Sequence, residues 1–154
     1  MLAPMRKLLL GALCASLFGC ATFAPRRFER SAGRIIGLVN SGQAAELASM
    51  SQTPFLLDGE LMLLDRDVAE LWSGMIKAGI KIGPAASVKA LPLDGESFKR
   101  FASTMEAKTF FEKYVSDRGS LVVLQAGSSR ILLLLERGKR GRTLIVGFKG
   151  PDAI

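Results

Sequence analysis

The chain has no histidine and only two cysteines, Cys14 and Cys20, and these facts bound its chemistry. Without an imidazole it lacks a common zinc ligand and the usual general base near neutral pH. It also lacks the partner that activates serine and cysteine nucleophiles. No metal site and no cofactor are expected. What the residue types do favour is anion binding. Arg26, Arg27, Arg30 and Arg34 form one basic cluster, and Arg137, Lys139, Arg140 and Arg142 form a second. The second cluster contains glycines but is no phosphate loop, because it lacks the GxxxxGK(S/T) spacing and a following helix. Either cluster suits phospholipid headgroups, lipid A phosphates or an acidic polymer.

The one thiol with a distinctive setting is that of Cys20. Arg6 and Lys7 precede an apolar run of eleven residues, Leu8 to Phe18, which is too short to span a bilayer as a permanent helix. The run ends in Leu17, Phe18, Gly19 and Cys20. This resembles the lipobox of bacterial lipoproteins, in which a leucine stands three residues before the cysteine and a small residue directly before it. Phe18 is bulkier than the residue usual at its place. Cys14 does not fit, since it lies inside the apolar run behind the bulky Leu13.

The resemblance implies that residues 1–19 are a signal peptide and that cleavage before Cys20 leaves its thiol joined to diacylglycerol. Acyl chains would then hold the protein on a membrane, at roughly 0.8 kcal/mol per buried methylene. Ala21 stands where aspartate marks retention at the inner membrane of many Gram-negative bacteria, so the outer membrane, facing the periplasm, is implied. No thiol would remain for a disulfide.

From residue 20 on, nineteen cations face fourteen carboxylates, a net +5. This part has room for one domain, and no later segment approaches the roughly 20 apolar residues of a membrane helix. Residues 20–27 read as a lipidated cysteine and short tether, with residues 28–154 as the domain. Residues 21–27 would reach at most about 25 Å, so the domain works close to the bilayer and brings the first arginine cluster with it. Export removes nucleic acid as a partner despite the basic charge.

The domain must be built from the following elements. Phe28, Ala32, Ile35, Ile36 and Val39 mark one face of a first helix, broken at Ser41–Gly42. A short helix runs from about Gln43 to Met50 and stops before Thr53–Pro54. Phe55 to Leu64 is strand-like, with Asp58–Gly59 either a hairpin turn or a bulge. Asp65 or Asp67 is expected to cap a helix carrying Val68, Leu71, Trp72, Met75 and Ile76, with Gly79 as its stop. Trp72 reads as a core anchor.

Ser87 to Leu93 is a modest strand ending at Asp94–Gly95. Ser103 and Glu106 have the spacing of a capping box, followed by a helical stripe of Ala107, Phe110, Phe111, Tyr114 and Val115. Three antiparallel strands close the chain: Leu121–Gln125, Arg130–Glu136 and Thr143–Lys149. Leu132, Leu133, Leu134 and Leu135 place apolar groups on both faces, as in a central strand covered on both sides.

Two helices, the run PFLLDGE (Pro54 to Glu60), a helix with Leu71 and Trp72, and then a meander resemble the nuclear-transport-factor-2-like superfamily. A cystatin-like fold fits nearly as well. The resemblance implies an α+β domain: N-terminal helices packed on a curved, mainly antiparallel sheet, cone-like, with an apolar interior. The helix near 104–118 departs from the superfamily pattern. Enzymes of this superfamily set a proton-transferring side chain inside the cone, and here Asp58, Glu60 and Tyr114 are the groups to nominate. Asp58 reads more simply as a turn residue and Tyr114 as core with a wet hydroxyl.

A non-catalytic accessory lipoprotein is therefore expected, binding a protein partner or a small apolar ligand. The competing readings are a small isomerase or dehydratase and a basic module for anionic lipid or polysaccharide.

Overall fold

The computed structural model describes residues 25–153 apart from Ala86. The expected signal peptide, the expected lipid-attachment residue Cys20 and residues 21–24 of the expected tether lie outside the described residues, and residues 25–27 of that tether are already helical.

Helix α1 (Pro25–Asn40) opens on a proline, whose fixed φ suits a first helical position. Its buried side chains, Phe28, Ala32, Ile35 and Val39, repeat every three or four residues, while Arg26, Arg30 and Arg34 are exposed. Helix α2 (Ala44–Met50) follows, and the chain passes directly into strand β1 (Ser51–Leu57). Asp58–Gly59 is a two-residue turn into strand β2 (Glu60–Met62), with Leu57 opposite Glu60. Both turn residues have positive φ, 49° and 104°, the kind of geometry that fits the twist of a short hairpin. Of the two expectations at this site, the hairpin is the one found.

Helix α3 (Asp65–Lys77) starts without a side-chain cap, contrary to the expectation for Asp65 or Asp67. Its N-cap is Leu64, and Asp65 already lies in the first turn, where its carboxylate accepts a 2.6 Å bond from the Thr53 hydroxyl. The two aspartates still favour the helix through its positive N-terminal end. Strand β3 (Ser87–Pro92) leads to a 3-10 turn at Ser97–Arg100 that the sequence pattern did not signal.

Helix α4 (Met105–Tyr114) is capped by Thr104, whose hydroxyl accepts from Ala107 N–H at 3.2 Å. This replaces the expected Ser103–Glu106 box. The cap stands one residue later, and Glu106 instead accepts from the Leu61 N–H of β2. Strands β4 (Ser120–Ala126), β5 (Ser129–Arg137) and β6 (Thr143–Ala153) form the meander.

The strands make one mixed sheet in the order β2-β1-β6-β5-β4-β3. Among the described residues only β1 and β6 pair in parallel; the other neighbours are antiparallel. Helices α1, α2 and α3 cover one face, where Phe55, Trp72, Leu133, Leu135 and Phe148 share a core. Helix α4 covers the other face over Leu56, Phe101, Phe110, Leu132 and Leu134. The consecutive leucines of β5 thus feed both cores alternately, as the period of two requires.

Tyr114 departs from expectation. It is the last residue of α4 and 52% exposed, with its ring tilted against Phe110 at a centroid distance of 5.9 Å. Among the described residues no helix is long and apolar enough to cross a membrane.

Candidate functional site

The described part of the molecule has two chemically different ends. Strand β6 runs from Thr143 beside the basic turn to Gly150 beside the Asp58 turn. At ~3.3 Å per residue these points are about 23 Å apart.

At the Gly150 end an apolar groove of about 290 Å³ opens between the helix layer and the sheet. Leu71 and Met75 of α3 form one wall, Ile80 and Ile82 of the following loop another, and Leu57, Ile131 and Phe148 supply the sheet side. The loop is held in place from a distance. The Asn40 side chain donates to Ile82 C=O at 2.8 Å and accepts from Ile82 N–H at 2.9 Å. The Lys81 ammonium donates to Asn40 C=O at 2.5 Å. Sequence reading passed over Ile80 and Ile82; the visible signal was two isoleucines in alternation just after the Gly79 stop.

The rim is polar and carries both signs, Asp58 and Lys81. Asp58 is tied into the fold, since its carboxylate accepts from Gly150 N–H at 2.9 Å and its own N–H donates to Phe148 C=O at 3.0 Å. Glu60 is exposed on the edge strand β2. Tyr114 lies at the opposite end, beside Arg137 and Arg142. The three nominated proton-transfer groups therefore do not converge, and Asp58 holds a turn.

The two basic clusters, over a hundred residues apart in sequence, do converge. The hydroxyls of Ser31 in α1 and Thr143 in β6 bond at 2.9 Å. The Arg27 guanidinium lies over Gly141, where a β-carbon would come within 3.3 Å of Nη2. Arg27, Arg34, Arg142, Ser31 and Thr143 line one polar cleft, Arg26 and Arg30 a shallower concavity on α1. Arg137, Lys139 and Arg142 form a third with Tyr114. Arg140 stands in the left-handed region at φ 56°, at the tip of the same turn.

Carboxylates near this end are engaged within the fold. Arg34 is ion-paired with Glu46. Glu29 accepts from Ala90 N–H at 3.3 Å. Glu136, only 7% exposed, accepts from the backbone N–H and the hydroxyl of Ser116, at 2.6 and 2.8 Å. Glu136→Gln should lower stability by about 1–2 kcal/mol, since it exchanges charge-assisted bonds for neutral ones and cannot accept at both atoms. Denaturant unfolding checks this; an unchanged midpoint would mean that the carboxylate does not hold the connection between α4 and β4.

The Ser97 hydroxyl and then the Glu96 N–H, bonded to Asp94, hold its carboxyl below the usual carboxylate range. It organises the 3-10 turn and faces neither the groove nor the basic end.

The chain matches no family model, and no curated protein matches it closely enough to count as a relative.

Proposed function

We propose that this protein is a periplasmic lipoprotein of the outer membrane, anchored through Cys20, whose domain is a non-catalytic accessory module that binds a small apolar ligand in the groove beside α3. The observation that carries the ligand half is the groove itself. It is walled by Leu71, Met75, Ile80, Ile82 and Phe148, and its volume of about 290 Å³ lies just under the range of drug-sized ligand pockets, roughly 300–1,000 Å³, so it suits a small ligand. The mixed-charge rim would orient a polar end while the walls take the apolar body. The first part of the element order, two helices, a hairpin and a helix, supports a cone-like domain of the nuclear-transport-factor-2-like kind, and α4 between β3 and β4 is the departure from that pattern.

Catalysis is the weaker reading because Asp58 is bound to Gly150 and Tyr114 lies at the other end of the sheet. The accessory reading is tested by native mass spectrometry of the chain from residue 21, purified gently from the periplasm, beside the same sample denatured. Extra mass that is lost on denaturation, and absent from Met75→Lys, is the expected result. Met75 is only partly buried, so the charged variant should keep its fold by circular dichroism. Extra mass equally present in folded Met75→Lys, or none in the parent, would remove the groove as a ligand site.

A further inference from the structure

We propose that the basic end is a membrane-docking face, which seats the anionic phospholipid headgroups of the leaflet that holds the acyl chains and points the groove away from the bilayer. This rests on the reading of Cys20 as the anchor.

Three observations support it. The first is where the chain enters the domain. Helix α1 starts at Pro25, and the five residues from Cys20 to that point reach at most about 18 Å. Arg26, Arg27, Arg30 and Arg34 follow within the first turns, so an anchored chain brings them to the headgroups first. The second is the fold, which adds the distant turn to the same end. Arg27 over Gly141 and Ser31 against Thr143 fix α1 to the segment 137–143. Eight cationic side chains from two remote stretches thus share one end; all but Arg27 are exposed, and Arg34 among them is ion-paired with Glu46. Tyr114 stands among them, 52% exposed, and an amphipathic ring at headgroup level is a recurring membrane-interface feature.

The third observation is polarity. The groove lies at the far end of β6 from the basic turn, farther than the ~8 Å over which physiological salt screens charge. Docking through the basic end therefore leaves the groove mouth facing the aqueous side. The bilayer itself would not fill it.

The test uses the chain from residue 21, which lacks the acyl chains; the cores described above are built from residues 25–153. Its binding is measured at low salt to phosphatidylcholine vesicles and to the same vesicles with one lipid in four replaced by phosphatidylglycerol. Binding to the anionic vesicles alone is expected. The triple variant Arg137→Gln, Lys139→Gln, Arg142→Gln should bind about a hundredfold more weakly, at roughly fivefold per cation near the surface. The control Lys77→Gln, Lys89→Gln, Arg130→Gln removes equal charge elsewhere and should stay within about threefold of the parent.

Equal binding to neutral vesicles, or equal weakening by the control, overturns the proposal. So does inorganic phosphate binding as tightly as the anionic vesicles do, which would assign the clefts to a soluble phosphorylated molecule. Failure here leaves acylation of Cys20 untouched, because that is read separately from the mass of the chain isolated from membranes.

Discussion

Replacing Trp72 by alanine should lower folding stability by about 3–5 kcal/mol, the range for deleting a large buried aromatic. The indole is fully buried at the centre of the first core. Its ring meets Phe55 and Phe148 edge to face, with centroids 6.3 and 5.7 Å apart, a geometry that adds to area burial. Its Nε1–H donates to the Ser51 hydroxyl at 2.9 Å, so alanine also removes a hydrogen-bond partner from the junction of α2 and β1. Domains are stable by only about 5–15 kcal/mol in total, so the variant should unfold at a markedly lower urea midpoint. Trp72→Phe keeps much of the volume but not the donor, and should fall between the two. Urea unfolding decides the matter: a loss under about 1 kcal/mol for the alanine variant would mean that the helix layer is not packed through this ring.

Gly59→Ala should cost about 2–4 kcal/mol from two separable causes. Gly59 has φ +104°, which L side chains rarely adopt, and a β-carbon there would sit 2.5 Å from the β-carbon of Ala102. The turn of β1–β2 therefore closes against the segment between the 3-10 turn and α4, on the second core face. Pairing Gly59→Ala with Ala102→Gly relieves the contact and leaves the backbone strain. The double variant should recover part of the loss, measured as non-additivity in an unfolding cycle. Strict additivity would show that the two residues do not touch. The same turn positions Asp58 on the groove rim, so Gly59→Ala should also weaken retention of any groove ligand.

Local periodicity carried much of the architecture. The apolar stripe of α1 and the leucine run of β5 bury nearly all the side chains that their spacing implies, whereas on α3 Val68 and Trp72 are buried and Leu71, Met75 and Ile76 stay half-buried. These features depend on residues a few positions apart, which a sequence displays directly. The misplaced details depended on neighbours that it does not display. Thr104 rather than Ser103 caps α4, and Glu106 turns to Leu61, 45 positions earlier. Asp65 is engaged by Thr53. Tyr114 fits a helical stripe by count but is 52% exposed as the last residue of α4.

The same distinction separates the two candidate sites. Each basic cluster was visible alone; their meeting depends on the fold, through contacts such as the Ser31–Thr143 hydroxyl pair. The groove needs the loop at Ile80–Ile82, which is placed by Asn40 from the other end of α1. A polar side chain bonding a backbone some forty residues away leaves no periodic trace.

Everything proposed about orientation depends on where the chain is anchored. The most direct measurement is the intact mass, with fragmentation of the N-terminal peptide, of the full-length gene product extracted by detergent from bacterial membranes. The expected result is a chain beginning at Cys20 that carries a diacylglycerol thioether, with Cys20→Ala shifting the protein to the unprocessed form. A mature chain that begins elsewhere, or that begins at Cys20 with a free thiol, would contradict the account.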